Sequence, residues 1–304
     1  MKLIFAGTPA NAAQALEALA QQHEIVLVIT RKDAPFGRKK ELRPSEVAQT
    51  AARLGIPTLK ANKITSANLQ QLRDCGAEMA IVVAYGALIP SEALELFDWW
   101  NLHFSLLPKW RGATPLQHSI MHHGEGAGIT IFKIDQGLDT GDIICQQPVE
   151  ILEGESTLAA LPRFTALGSD LLLAALEQPE SLKKQQGEPS FAPKIGRDQA
   201  RIDFNESAAS ISAKVQALNP EPVAWALIDD LPIRIIEAHE FPPMDLQHDL
   251  MTKANGSVAL EKSVALVKCG GEALLQLLVV QPAGKQPMNA ADWIRGQNRE
   301  LRFE

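Results

Sequence analysis

The sequence predicts an α/β protein in which a mostly parallel sheet is covered by helices and followed by a smaller β-barrel. Three observations predict it. Up to residue 176, short Val-, Ile- and Leu-rich runs alternate with helical patterns, the rhythm of strands joined by helical crossovers. A stretch of prolines, glycines and charges then interrupts the chain at 178–201. Beyond it, short alternating strands separated by turn signals take over, as in a small barrel.

The elements follow in order. Residues 3–6 read as a buried strand running into Gly7, and 10–21 as an alanine-rich helix. Residues 24–30 form a second, β-branched strand. Helices are expected at 44–54, with Pro44 near its first turn, and at 66–75. The continuous apolar run 79–84 reads as a strand buried on both faces. Strands at 99–104 and 129–134 flank a helix at 115–123, and a long helical pattern over 156–176 closes the unit. After a helix at 208–218, strands are expected at 223–228, 231–236, 256–260, 263–269 and 274–280. The organisation is a first domain over 1–185, a linker over 186–205 and a barrel domain over 206–304.

Composition bounds the function. With 46% hydrophobic and 21% charged residues the chain is an ordinary soluble globular protein. Apolar runs stop short of bilayer length and the first strand is too short for a signal peptide, so no membrane association is expected. Cys75, Cys145 and Cys269 have no paired spacing, which argues against a disulfide framework or zinc site and for the cytoplasm. No heptad seam demands assembly, so a monomer is expected. Net charge is −7, from 29 basic and 36 acidic residues, which argues against a general nucleic-acid binder. One stretch opposes that sign: residues 31–43 hold Arg31, Lys32, Arg38, Lys39, Lys40 and Arg43 against Asp33 and Glu41. Pro35 and Gly37 make it a loop rather than a helix face. Residues 191–304 carry 12 basic and 15 acidic groups, so a polyanion would need a one-sided patch there, built from Lys194, Arg197, Arg201 and Lys285.

The chemistry is concentrated in Asn101-Leu102-His103-Phe104-Ser105-Leu106-Leu107-Pro108-Lys109-Trp110-Arg111-Gly112. In an extended strand Asn101, His103 and Ser105 share one face, and Phe104 points to the other. A second loop follows at Asp135-Gln136-Gly137-Leu138-Asp139-Thr140-Gly141-Asp142. Acyl transfer to an amine needs fixed donors for an oxyanion and a group to take the amine's proton. The Asn101 amide can donate; His103 can donate when protonated or accept when neutral. Asp139 would orient the imidazole and stabilise its charged form. An isolated Asn-x-His reads as a satisfied histidine beside a capping asparagine. The attached Ser-Leu-Leu-Pro-x-Trp-Arg-Gly and the later loop turn the reading toward chemistry.

Other features are weaker. Gly7-Thr8-Pro9 precedes a helix but lacks the glycine fingerprint or lysine of a nucleotide loop. His118 and His122 are spaced four apart without a third ligand and read as surface histidines, so no metal is expected. Trp99 and Trp100 read as packing.

Asn-x-His-x-Ser-Leu-Leu-Pro-x-Trp-Arg-Gly-x-x-Pro followed by Gly-Leu-Asp-Thr-Gly-Asp resembles the 10-formyltetrahydrofolate-dependent formyltransferases. Matching segments run along nearly the whole chain: Phe5-Ala6-Gly7-Thr8-Pro9, Gly37-Arg38-Lys39-Lys40, Val82-Val83-Ala84-Tyr85-Gly86, Ala200-Arg201-Ile202-Asp203-Phe204, Leu218-Asn219-Pro220 and Gln281-Pro282-Ala283-Gly284-Lys285. The resemblance implies a Rossmann-like formyltransferase domain with an OB-like, tRNA-binding C-terminal barrel. It places Asn101, His103 and Asp139 on the catalytic trio, and Ser105, Leu106, Leu107 and Pro108 on the folate-binding loop. It puts Arg38, with Lys39 and Lys40, on the acceptor stem of a tRNA, and Gly7-Thr8-Pro9 where the amino-acid end enters. The implied reaction moves a formyl group from 10-formyltetrahydrofolate to the α-amine of methionyl initiator tRNA, without a metal or a covalent enzyme intermediate. An amino sugar-nucleotide acceptor, or folate or RNA binding without catalysis, stand as alternatives. The sequence departs from the family at Phe104, where a small residue is usual. It departs also at Ala10-Asn11, in place of Asp-Phe, and at Glu221, in place of tryptophan.

Overall fold

The computed structural model describes residues 1–37, 40–241, 249–297 and 299–304, and divides into two units. The first comprises Met1–Pro115, Gly126–Glu150 and Leu161–Pro193. Its strands are β1 (Lys2–Gly7), β2 (Glu24–Thr30), β3 (Ala34–Phe36), β4 (Glu41–Arg43), β5 (Thr58–Lys60), β6 (Met79–Val83), β7 (Trp99–His103), β8 (Arg111–Gly112), β9 (Gly128–Lys133), β10 (Ile143–Pro148) and β11 (Phe191–Ala192). Its helices are α1 (Ala10–Ala20), α2 (Glu46–Arg53), α3 (Ser66–Asp74) and α4 (Ser91–Leu94), while α5 (Pro115–Met121) and α6 (Thr157–Glu177) each fall partly in both units.

Seven strands form one sheet in the order β10-β9-β7-β6-β1-β2-β5. From β7 to β5 neighbours run parallel; β9 and β10 are antiparallel. Parallel strands need both faces covered, which explains why β1 and β6 read as unbroken apolar runs: Leu3, Ile4, Phe5, Ala80 and Ile81 are all 0% exposed. On one face Ile4, Ala6, Ala80, Val82 and Trp99 join Leu69 and Leu72 of α3 in a buried cluster. On the other α6 packs so closely that a side chain at Gly168 would meet Leu102 at 2.6 Å. With 21 residues and mean hydropathy 1.3, α6 has the length and composition of a membrane span, contrary to the expected short apolar runs. Its buried Phe164, Ser169 and Leu172 make it a core helix here.

Two expectations change. The basic stretch is a β-hairpin, β3 pairing with β4, where a loop was expected. Its strands are exposed on all positions, and the Arg43 guanidinium lies 4.7 Å over the Phe36 ring. Arg38 and Lys39 lie outside the described residues; Lys40 is exposed beside them. In the expected linker, β11 pairs in parallel with β8, so residues 191–192 are hydrogen-bonded into the first unit.

The second unit contains β12 (Trp225–Ile228), β13 (Leu231–Phe241), β14 (Val258–Glu261), β15 (Val264–Lys268), β16 (Leu274–Pro282) and β17 (Met288–Asn289), with α7 (Ala208–Leu218), α8 (Asp249–Thr252) and α9 (Ala290–Arg295). Its antiparallel sheet has the order β12-β13-β16-β15-β14, with β17 added on β16. Register shifts in β13 bend it past the point where alternation ends, so it is longer than its pattern suggested. Ser207 caps α7, its Oγ accepting from Ser210 N, and Ile211, Val215 and Leu218 face the sheet core. The fold class is therefore a parallel-rich α/β sheet with an antiparallel second domain.

Candidate active site

Alternation along β7 sets the site. Asn101 and His103 share a face, while Leu102 turns to α6. Phe104 continues the Leu102 parity and is 7% exposed, so it fills core as its position predicted. Asn101 is half-buried, and among the described residues its amide has no hydrogen-bond partner.

His103 is 5% exposed. Its Nε2 lies 3.0 Å from the Trp110 carbonyl oxygen, which can only accept, so Nε2 carries the hydrogen. The neutral ring then has its lone pair on Nδ1. That atom faces the Asp139 carboxylate at 3.9 Å, beyond hydrogen-bond length. The ring is thus held by a hydrogen bond to the Trp110 carbonyl and not by one to Asp139, which the sequence expected to orient it. At that distance the Asp139 charge still bears on the ring. Burial lowers the His103 pKa below its ordinary value, opposed by the Asp139 charge and then by the Trp110 carbonyl. A neutral imidazole with Nδ1 open can take a proton from an amine, and the proton arrives on the side where the carboxylate stabilises it.

How Asp139 reaches His103 was not legible in the sequence. Because β9 runs antiparallel to β7, Lys133 sits beside Trp100, toward the start of β7. The loop after β9 thus leaves from the opposite edge and must fold back along the sheet. It is tight where it returns: a side chain at Gly141 would lie 1.7 Å from the Lys133 carbonyl oxygen. Asp139 adopts φ +50° and Trp110 φ +61°, left-handed conformations that are strained for residues with side chains. The Asp139 carboxylate is fixed by accepting the Gly112 N–H at 2.7 Å.

The Ser105–Pro108 stretch is a tightly bonded loop. Leu106 N donates to Gly126 O, Leu107 N to Thr130 Oγ1, and Ser105 Oγ to Lys109 O. Ser105, Leu107 and Pro108 are buried and Leu106 is half-buried. The Leu106 and Leu107 amides are engaged, leaving the Leu106 side chain and the second lone pairs of the carbonyls for a ligand. Thr130, paired in register with His103, is the hub: its hydroxyl donates to Ser105 O at 2.6 Å and accepts from Leu107 N and Gln146 Nε2. A polar residue inside the apolar run of β9 was the available signal. Thr130→Val orphans the Leu107 N–H and Ser105 carbonyl, and is expected to lower stability by about 1–3 kcal/mol for each group. A urea midpoint equal to wild type would mean those groups find other partners.

The remaining sequence candidates disperse. The Thr8 hydroxyl donates to Tyr85 O, tying Gly7-Thr8-Pro9 to the loop after β6. Arg31 is held by Gly86 O and Asn62. His118 and His122 stack, and His122 Nδ1 donates to the His118 carbonyl. In the second unit Arg197 and Arg201 lie 5.5 and 5.8 Å from the Trp225 ring centre. Trp225 pairs across strands with Arg234, which bonds Gln281, whose amide donates to Lys285 O. Arg197, Arg201 and Arg234 thus gather about Trp225, and the row runs on through Gln281 to the Lys285 backbone; Lys194 is exposed nearby in sequence.

Comparisons with known proteins bear on the family and the fold. The formyl transferase family pattern matches residues 1–176, and that of the formyl transferase C-terminal domain matches 194–298. A methionyl-tRNA formyltransferase of Clavibacter sepedonicus is 38% identical over 304 residues, covering 97% of both chains. One of Renibacterium salmoninarum is 40% identical over 303 residues, covering 97% of this chain and 96% of the relative. Among solved structures, the sugar 3N-formyl transferase WlaRD superposes with a TM-score of 0.66 at 16% identity, over 94% of this chain and 99% of the other. Methionyl-tRNA formyltransferase from Clostridium thermocellum gives 0.56 at 19% identity, over 78% and 92%. Family patterns that match 1–176 and 194–298, with relatives 38–40% identical over 97% of the chain, make this chain a member of the formyl transferase family.

Proposed function

We propose that this chain transfers a formyl group from 10-formyltetrahydrofolate to the α-amine of methionyl initiator tRNA. The observation that carries the reading is His103: buried, held by the Trp110 carbonyl, its Nδ1 lone pair open toward Asp139. His103 takes the proton of the attacking amine at Nδ1, and Asp139 balances the charge so formed; the tetrahedral intermediate collapses by breaking the bond between the formyl carbon and folate N10, which receives that proton from His103 as tetrahydrofolate leaves. The Asn101 amide donates to the oxygen on which negative charge develops. Full-length relatives named methionyl-tRNA formyltransferase support the acceptor.

The residues present suit a folate. A pterin edge carries N–H donors, and the Ser105–Pro108 loop offers carbonyl lone pairs beside Leu106. Leu138, next to Asp139, is 53% exposed and adds apolar surface. When bound, 10-formyltetrahydrofolate would supply the formyl carbon. Lys40, with Arg38 and Lys39 of the same basic stretch, and the Arg197, Arg201, Arg234 and Lys285 row, are read as contacts to tRNA phosphates. Arg234→Ala and Lys285→Ala are each expected to flatten the salt dependence of tRNA binding by about one phosphate contact. Unchanged slopes in filter binding across a salt series would remove that row from the interface.

The direct test incubates the protein with 10-formyltetrahydrofolate and charged initiator tRNA and measures formyl-methionine. Transfer to an amino sugar-nucleotide, with none to tRNA, would overturn the acceptor.

A further inference from the structure

Residues 177–193 lie between the two family patterns, and the sequence reads much of them as linker. Their hydrogen bonds say otherwise. Lys183 exchanges both backbone bonds with Ile143, and Lys184 Nζ pairs with Asp142 at 2.8 Å. Ser190 N donates to Pro108 O, Ser190 Oγ accepts from Trp110 N, and Ser190 O accepts from Arg111 N. Ala192 O accepts from Thr114 N. The segment is a strap sewn to both site loops.

Gln185 is its centre. Nε2 donates to Asp139 O at 2.8 Å and to Gly141 O at 2.9 Å. Oε1 accepts from Arg111 Nε at 3.1 Å and Nη2 at 2.6 Å. Arg111 is bonded through the chain to Gly112, whose N–H holds the Asp139 carboxylate. One amide therefore closes a ring around Asp139, gripping its backbone on one side and the donor to its carboxylate on the other. The two left-handed site residues, Trp110 and Asp139, are the ones the strap holds, through Ser190 and Gln185. Strained conformations persist only where surrounding contacts over-determine them.

We propose that residues 183–192 belong to the active site, and that Gln185 is a positioning residue that fixes the Asp139 carboxylate against His103. The inference rests on the reading of His103 and Asp139 as the transfer site. Gln185→Ala breaks the ring. Gln185→Glu keeps the acceptor for Arg111 but cannot donate to the Asp139 and Gly141 carbonyls, and being isosteric it carries the test should the alanine variant melt early.

Both variants are expected to lose on the order of 10–100-fold in kcat, the scale of a misplaced catalytic group, with KM for tRNA and folate affinity within about twofold. In Gln185→Ala the acid limb of the pH–rate profile moves to lower pH, because the Asp139 charge recedes from His103. Independently of turnover, the Gly112 amide exchanges with deuterium faster than in wild type, since its acceptor is no longer held. Wild-type kcat in both variants while His103→Ala is inactive would overturn the proposal, as would wild-type kcat in Gln185→Glu alone, which would leave only the Arg111 contact. Unchanged Gly112 exchange overturns it whatever the activity. Full turnover in His103→Ala would instead sink the catalytic reading, and the exchange measurement would still decide whether Gln185 holds Asp139.

Discussion

Replacing His103 by alanine is expected to lower kcat by roughly 10²–10⁴-fold, the usual contribution of a positioned acid–base group. Geometry adds to what the motif implies. His103 has its Nε2 engaged by a carbonyl and its Nδ1 open, and it is buried where a neutral ring is favoured. Alanine also orphans the Trp110 carbonyl, so His103→Gln, whose amide can still donate there, serves as the second variant. Both should bind tetrahydrofolate as wild type does. The pH dependence follows from the sign of the shift. Burial holds the His103 pKa below ~6.5. The wild-type rate should therefore stay on its plateau through neutral pH and fall only as His103 protonates at lower pH. The same shift makes the fold acid-sensitive. Below ~6.5 the unfolded chain binds the proton first, so stability declines as pH drops through that value toward the folded pKa. In His103→Gln the acid limb of the rate and this stability slope should both vanish. Steady-state rates and urea midpoints from pH 5 to 8 check them, and a rate within a few-fold of wild type would take His103 out of the chemistry.

The strand carrying this histidine was legible because two signals agreed. Alternation placed Asn101 and His103 together and Phe104 away, and the turn residues of Leu107-Pro108 ended the strand. The parallel strands were legible for a similar reason, since burial on both faces writes a continuous apolar run. What the sequence hid were features that depend on direction and on backbone atoms. Nothing in the composition of β9 says that it runs antiparallel to β7, so the path of the Asp139 loop could not be read. Nor does a side-chain pattern announce that a carbonyl, Trp110 O, is the partner of His103. The strap was hidden because Gln185, Ser190 and their glycine and proline neighbours are typical of linkers; only their bonding distinguishes them. The hairpin β3–β4 was missed because its strands bury nothing, and an exposed strand leaves no alternation to detect.

Asp139→Asn separates charge from shape and should be nearly as damaging. Asparagine tolerates the left-handed backbone at φ +50°, and its side-chain oxygen can still accept from Gly112 N. The loop should keep its course, and only the charge is lost. In arrangements where a carboxylate bonds the imidazole N–H, the same change also flips the tautomer. Here the tautomer is set by the Trp110 carbonyl, so that part of the penalty is absent. What remains is the attraction between an imidazolium and a carboxylate about 4 Å apart, at most about 4 kcal/mol at an intermediate dielectric, which bounds the loss at about 10³-fold in kcat. Because the Asp139 charge raises the His103 pKa, its removal lets burial lower that pKa further, and the acid limb should move to lower pH as the plateau falls. Direction and magnitude are thus linked through one contact. A fall in kcat with the limb unmoved would mean that Asp139 acts on the substrate rather than on His103. A moved limb with an undiminished plateau would mean that His103 is not charged in the rate-limiting transition state.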